Sequence, residues 1–486
     1  MRDLAFRPSF ELAAAIRRRK VGSRELLDHY LARIERLNSR INAVVTLDVE
    51  RARQRADEAD RALSRGEDWG PLHGLPITVK DTLETAGMRT TAGAPALSGH
   101  MPVQDATSVR RLLAAGAVLF GKTNTPTFAM DCQTYNPVFG TTSNPWDVAR
   151  TPGGSSGGSA AAIAAGLTGL ELGSDIGGSI RNPAHYCGVF GHKPTHGIVP
   201  LRGHIPGPPG SLSEVDLAVV GPLGRSADDL ALALDVLTGP SEDRAVAWRL
   251  ELPPPRRASL RDYRVAAWLD DPACPVDGEV GEQLAAAVAA VRRAGASVDE
   301  QARPGVDLAE AFRTYLRLLL PITTAALPPE QFAELAALAG ALREDDDSLR
   351  ARTVRYSTER YREWLSASEK REHIRASWAD FFRRYDVLLC PVMPVTAIPH
   401  DQSGDFLSRT IRVNGAERPY WDLVVWNGAI ANLALLPATV APVGRTERGL
   451  PVGIQIVGPY LEDRTPIDFA RRLTGVIGGF EAPPGY

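Results

Sequence analysis

The stretch PGGSSGGSAAAIAAGLTGLELGSDIGGSIRNP, residues 152–183, decides how this chain is read. Two Gly/Ser loops, 153–159 and 173–179, flank the run AAAIAAGLTGL at 160–170, which suits one buried helix. Each loop can bring hydroxyls and bare backbone amides to one place, because glycine lets another group approach without meeting a Cβ. Working outward, LPITV at 75–79 is strand-like and delivers Lys80, and AVLF at 117–120 is a second short apolar run. Strand character returns at 265–269 and 386–390. Helical spacing appears at 24–37, where Ser23 is placed as an N-cap, and at 282–294, ending before Gly295. A charged helical stretch follows the first helix to about residue 65. Strand and helix signals alternate from 75 to 300 and again from 386 to 475, which predicts an α/β fold with a largely buried sheet. Residues 306–384 read as mostly helical and charged.

Composition narrows the function. The chain has 486 residues, 44% hydrophobic and 23% charged, with net charge −3. That excludes a disordered or collagen-like chain, and near-neutral charge argues against a nucleic-acid partner. No apolar run is long enough for a signal peptide or a membrane helix. Cys132, Cys187, Cys274 and Cys390 form no CxxC pair, so neither a zinc knuckle nor a disulfide framework is suggested, and the expected compartment is the cytoplasm. Of 55 basic residues only five are Lys: Lys20, Lys80, Lys122, Lys193 and Lys370. Arg holds its proton in proteins whereas Lys can lose it, so a retained Lys raises the question of a base.

Three motifs compete for the chemistry. Residues 116–123, GAVLFGKT, match a P-loop formally, but Ala117, Val118, Leu119 and Phe120 want a buried strand where a P-loop needs a flexible turn. GGSSG at 153–157 matches the G-x-S-x-G of α/β-hydrolases, which would make Ser155 an esterase nucleophile. The preceding NPWDVARTP is no strand, so the required strand-to-helix turn is not set up. The third is the double loop itself, in which Ile176, Gly177, Gly178 and Ser179 offer successive N–H groups beside a serine, an arrangement suited to an oxyanion hole. His192 and His196 show H-x-x-x-H spacing, but Pro194 breaks any helix between them and no third ligand is evident.

The double loop does not stand alone. GLPITVKDTLETAG at 74–87, GKTNTPTFAMDCQTYNPVFGTTSNPWD at 121–147, CGVFGHKPTHGIVP at 187–200, DVLLCPVMP at 386–394 and NLALLPATVAPVGRTERGLPVGIQIVG at 432–458 accompany it in order. Together these segments resemble the amidase signature family from about residue 8 to 475, most weakly between 240 and 380. The resemblance implies one domain over 1–486, with a signature core at about 70–225 and a variable helical cover at about 306–384. It also implies that family's large mixed central β-sheet, covered on both faces by helices. GKT and GGSSG become embedded pieces of the family pattern.

By motif, the resemblance implies a Ser–Ser–Lys triad: Lys80 as base, Ser155 in the middle after a cis peptide bond, and Ser179 as nucleophile. Ile176, Gly177, Gly178 and Ser179 supply the oxyanion hole. A buried Lys is neutral more readily than an exposed one, which suits a base at the end of an apolar strand. Asp175 and Arg181 read as a brace for the nucleophile loop; Ser156 and Ser174 either tie the two loops or hydrogen-bond the triad. Glu171 stands where the family usually has a small residue. For Lys122 and Lys193 the expectation is hydrogen bonding to backbone, and for Lys20 and Lys370 solvation. Candidates for the substrate pocket are Met130, Asp131, Cys132, Tyr135, Tyr420, Trp421 and Trp426, with the loop at 203–210. The expected activity is hydrolysis of small linear aliphatic or aryl amides through a Ser179 acyl-enzyme, with carbamate or ester side activity. No cofactor and no metal are expected, and the chain is expected to be a monomer or homodimer away from membranes and nucleic acid. The alternatives are the glutaminase component of a glutamyl-tRNA amidotransferase, a carbamate hydrolase and, from a different class, a P-loop NTPase.

Overall fold

The computed structural model describes residues 4–205 and 207–486, so Pro206 of the 203–210 loop lies outside it. A mixed sheet of 11 strands runs through the chain. In chain order they are β1 (Val44–Leu47), β2 (Pro76–Lys80), β3 (Val118–Thr123), β4 (Glu171–Asp175), β5 (Phe190–Lys193), β6 (Val219–Gly224), β7 (Arg264–Ala267), β8 (Ser297–Asp299), β9 (Val387–Pro391), β10 (Ala438–Arg445) and β11 (Pro451–Val457). Their order across the sheet is β1-β3-β2-β4-β6-β5-β10-β11-β9-β7-β8. Strand β2 pairs in parallel with β3 and β4, while β6, β5, β10 and β11 form antiparallel neighbours. Helices cover both faces, and β2, β3, β4, β6 and β11 are buried along their whole length.

The central double loop departs from its expected shape. Helix α1 of the signature, Gly157–Ala164, starts inside the first Gly/Ser block and ends earlier than the apolar run suggests. The residues Glu171 to Asp175 form β4 in the middle of the sheet rather than a loop. Small residues are needed there, because a Cβ on Gly173 would lie 2.7 Å from Ser156 Oγ and 2.9 Å from Leu223. Helix α2, Arg181–Cys187, then packs against β10 and β11. The apolar run at 117–120 extends into β3, which runs on through Lys122 to Thr123.

Two other expectations are corrected near the N-terminus. The first long helix runs Ser23–Ile41, and its N-cap is Gly22 rather than Ser23. The Asp60 carboxylate takes the N–H groups of Ser23 (2.7 Å) and Arg24 (3.0 Å), which frees the Ser23 hydroxyl to donate to Gly74 O at 2.6 Å. The charged stretch to residue 65 is broken by β1, where Asn38 Oδ1 accepts from Ala43 N and Val44 N and turns the chain out of the helix. Four helices fill 306–384 as expected: Leu308–Thr324, Pro329–Ala341, Leu349–Ser357 and Tyr361–Arg384. No described helix is long and apolar enough to cross a membrane.

Candidate active site

Strand β2 ends on Lys80, a fully buried side chain. Its Nζ donates to Ser155 Oγ at 2.5 Å and to Ser174 Oγ at 3.1 Å. The Gly154–Ser155 peptide is cis. The loop carrying it is held against the 131–133 segment so closely that a Cβ on Gly154 would lie 2.6 Å from the carbonyl oxygens of Asp131 and Gln133. Thr134 Oγ1 donates to Gly153 O from the same side. Burial pushes the Lys80 ammonium down to about 7, although the carboxylates of Asp175 and Glu171 pull the other way. A lysine at the end of a dry strand is therefore half-deprotonated near neutral pH.

Past β4 the chain turns through Ile176–Ile180 around the Asp175 carboxylate. Asp175 Oδ1 accepts from Gly178 N at 2.9 Å and Oδ2 from Ile180 N at 3.1 Å. Arg181 grips both carboxylate oxygens, with Nε to Oδ2 at 3.0 Å and Nη2 to Oδ1 at 2.8 Å. Asn432 Nδ2 adds a bond to Oδ1, and Arg181 Nη1 reaches Gln455 Oε1 at 2.5 Å. Burial by itself would raise the Asp175 carboxyl, but the adjoining guanidinium overrides it and holds the group well below the usual carboxylate range. The brace expected of Asp175 and Arg181 is thus present, fully buried on both sides.

That brace changes the set of free amides. Gly178 N–H is spent on Asp175, whereas Ile176, Gly177 and Ser179 N–H have no acceptor among the described residues. Ser179 is half-buried, as are Ile176 and Gly177, while Ser155 is 1% exposed. Of the two serines, then, Ser179 is the one solvent can reach and Ser155 the one the lysine holds. No hydrogen bond joins the two hydroxyls directly; the loops meet instead through Ser156 N–H on Ser179 O. The two open roles for Ser156 and Ser174 separate. Ser156 ties the loops, accepting from Ser174 N and donating to Ser174 O, with its own N–H on Ser179 O at 3.1 Å. Ser174 contacts Lys80 itself.

Lys122, Lys193, Lys370 and His192 are occupied elsewhere. Lys122 Nζ donates to Leu83 O and to Thr85 Oγ1, and Lys193 Nζ to Pro194 O at 2.8 Å. Lys122 is buried inside a strand, so the residues of the formal P-loop present no phosphate cradle. Lys370 pairs with Glu310. His192 uses both ring nitrogens, on Thr439 Oγ1 and Asp463 Oδ1.

Comparison with known proteins matches the Amidase family over residues 25–466. The chain belongs to this family. A curated relative, a component of the glutamyl-tRNA(Gln) amidotransferase of Anaeromyxobacter sp. (strain K), is 35% identical over 98% of the chain and 97% of its own length. A crystal structure of an amidase superposes with a TM-score of 0.76 at 30% identity, covering 97% of this chain and 100% of that one. A bacterial aryl acylamidase of the amidase signature family shares the fold, with a TM-score of 0.82, 24% identity and 99% coverage of each chain.

Around the site of this Amidase-family chain, the pocket candidates divide. Asp131 gathers three side chains and one backbone amide: Tyr420 Oη donates to Oδ1 at 2.7 Å, Tyr135 Oη to Oδ2 at 3.2 Å, Arg409 Nη2 to Oδ2 at 2.7 Å, and Gln133 N to Oδ1 at 3.2 Å. Arg409 also lies over the Tyr420 ring. Met130 is exposed beside this cluster. Trp421 packs edge-on against Phe406 and Phe312. Trp426 is wholly buried, donates Nε1–H to Cys274 O and sits edge-to-face on Trp268. Sequence reasoning missed Arg409, Asn432 and Gln455. Asn432 and Gln455 lie within the quoted 432–458 segment; Arg409 has no local pattern to mark it.

Proposed function

We propose that this Amidase-family chain hydrolyses the C–N bond of small linear amides, giving a carboxylate and an amine or ammonia. The observation that carries the reading is Lys80 Nζ on Ser155 Oγ, buried, beside a solvent-reachable Ser179 whose loop offers unpaired amides. In this reading neutral Lys80 takes a proton from Ser155, which takes one from Ser179 as its Oγ attacks the substrate carbonyl carbon. The negative oxygen of the tetrahedral intermediate sits on the N–H groups of Ile176, Gly177 and Ser179. The proton held on Lys80 returns through Ser155 to the leaving nitrogen, the C–N bond breaks, and an acyl-Ser179 ester remains. Water then attacks that ester, with Ser155 and Lys80 again accepting its proton, and releases the acid. Carbamates and activated esters present the same carbonyl and are expected as side substrates.

A second reading rests on the relatives: the curated match named above is part of a glutamyl-tRNA(Gln) amidotransferase and is similar along nearly its whole length. On that reading the chain would act on glutamine only within a complex. A hydrolysis screen of the purified chain separates the two. Turnover of aliphatic or aryl amides without a partner supports the first; glutamine turnover that appears only when partner proteins are added overturns it. Faster turnover of carbamates than of any amide would make the chain a carbamate hydrolase.

A further inference from the structure

The helix Leu308–Thr324, far from the Gly/Ser loops in sequence, places one hydroxyl on the nucleophile loop. Tyr315 is completely buried, and its Oη donates to Ile176 O at 2.9 Å. The seat is built from both sides. A Cβ on Gly177 would lie 2.5 Å from Tyr315 Oη, and one on Gly428 would lie 2.6–2.9 Å from three carbons of the ring. Gly428 sits in the π-helical turn Asn427–Asn432, whose Asn432 bonds Asp175 and whose Asn427 O accepts from Arg181. Phe312, one turn earlier, stacks on Tyr315 and meets Trp421.

Ile176 O and Gly177 N belong to the same planar peptide, in which the C=O and N–H of a trans bond point in opposite directions. Fixing the carbonyl therefore fixes the amide, and a donor on the carbonyl also polarises the N–H. The Gly177 N–H has no acceptor among the described residues. We infer that Tyr315 is a positioning residue for the oxyanion hole: its hydroxyl locks the Ile176–Gly177 peptide so that the Gly177 N–H meets the tetrahedral oxygen. This rests on the amide-hydrolase reading above. Burial holds the phenol well above its ordinary value, so it stays a donor across the working pH range. On this inference the helix Leu308–Thr324 contributes to the chemical step.

The test is Tyr315→Phe in the full chain, read by steady-state kinetics on an amide that the unaltered chain hydrolyses and by the rate of Ser179 phosphonylation with a fluorophosphonate. Losing one neutral hydrogen bond that orients a donor, rather than the donor itself, should lower kcat about tenfold. Phosphonylation should slow by a similar factor, with KM within about twofold and binding of an alkyl boronic acid, a tetrahedral mimic, weakened in step. Phe312→Leu, which removes the stacking but keeps the hydroxyl, should lower the melting temperature and leave kcat unchanged. Unchanged kcat in Tyr315→Phe, a loss confined to KM, or an equal kcat loss in Phe312→Leu would overturn the assignment. Should Tyr315→Phe fold poorly, Gly428→Ala displaces the same ring from its far side; the same kcat-selective loss supports the inference and full kcat refutes it. Labelling of Ser155 instead of Ser179 would sink the underlying mechanism, an outcome distinct from a failure of Tyr315 alone.

Discussion

Lys80 sets a measurable pH dependence. Its side chain is fully buried, and burial lowers it from 10.5 to about 7. At pH 8 a lysine at about 7 is ~90% neutral whereas one at 10.5 is ~0.3% neutral, so the site gains roughly 300-fold in available base. The base must be neutral to accept a proton, so activity is full above about 7 and falls as pH drops through it. For amide substrates kcat/KM should be close to its plateau at pH 8 and about tenfold lower at pH 6. The assay is a pH–rate profile between 5.5 and 9 on the purified chain, with circular dichroism at each pH to show that the fold persists. Lys80→Arg supplies the second arm: Arg cannot lose its proton, and its planar fork replaces a compact ammonium between Ser155 and Ser174. That variant should retain the fold and lose at least a thousandfold in kcat. A flat profile from pH 6 to 8, or a Lys80→Arg variant with most of its activity, would refute the neutral-lysine base.

The remaining expectations concern the groups around the triad. Asp175→Asn leaves Arg181 as an uncompensated buried charge. A broken pair of this kind costs about 3–5 kcal/mol, or roughly 3–5 °C in melting temperature for a chain this long, and an unchanged melt would show that the brace is idle. Glu171 is buried with Oε1 unpaired, and burial raises its carboxyl from 4.5 to about 7. The folded chain therefore keeps this proton when the unfolded chain has lost it, and stability declines as pH rises from about 4.5 to 7 and stays reduced above. Glu171→Gln should melt higher than the parent at pH 8, with the gap closing by pH 5; a gap independent of pH would contradict this. Gly173→Ala drives a methyl into Ser156 Oγ and Leu223 and should destabilise by about 1–3 kcal/mol in chemical denaturation, whereas a neutral result would mean that β4 shifts freely.

Much of the site was legible because its members sit in contiguous motifs. Lys80 ends an apolar pentamer, and Ser155 and Ser179 each lie in a Gly/Ser block, so strand pattern and residue type mark them without tertiary information. Strand β4 was hidden because ELGSD has low strand propensity; it is a strand because β2 and β6 flank it and the loop carrying Ser156 presses on Gly173, where a side chain would not fit. Gly178 looked like an oxyanion donor for want of knowing that Asp175 folds back three residues and takes its N–H first. The Asp131 cluster joins side chains 278 and 289 positions apart, and nothing local announces Arg409 or Tyr420 as its partners. Tyr315 is one aromatic residue in an amphipathic helix, where pattern says only that it is buried. Trp426 shows the converse: an aromatic residue near the site by sequence whose ring the core claims through Trp268 and Cys274.

The most direct test of the account is the identity of the nucleophile. The full chain is treated with a fluorophosphonate at pH 8, digested, and the adduct located by mass spectrometry, with Ser179→Ala and Ser155→Ala in parallel. The account predicts a single adduct on Ser179, lost in Ser179→Ala and strongly slowed in Ser155→Ala, where the path from Ser179 to Lys80 is cut. An adduct on Ser155, with hydrolysis surviving Ser179→Ala, would contradict it.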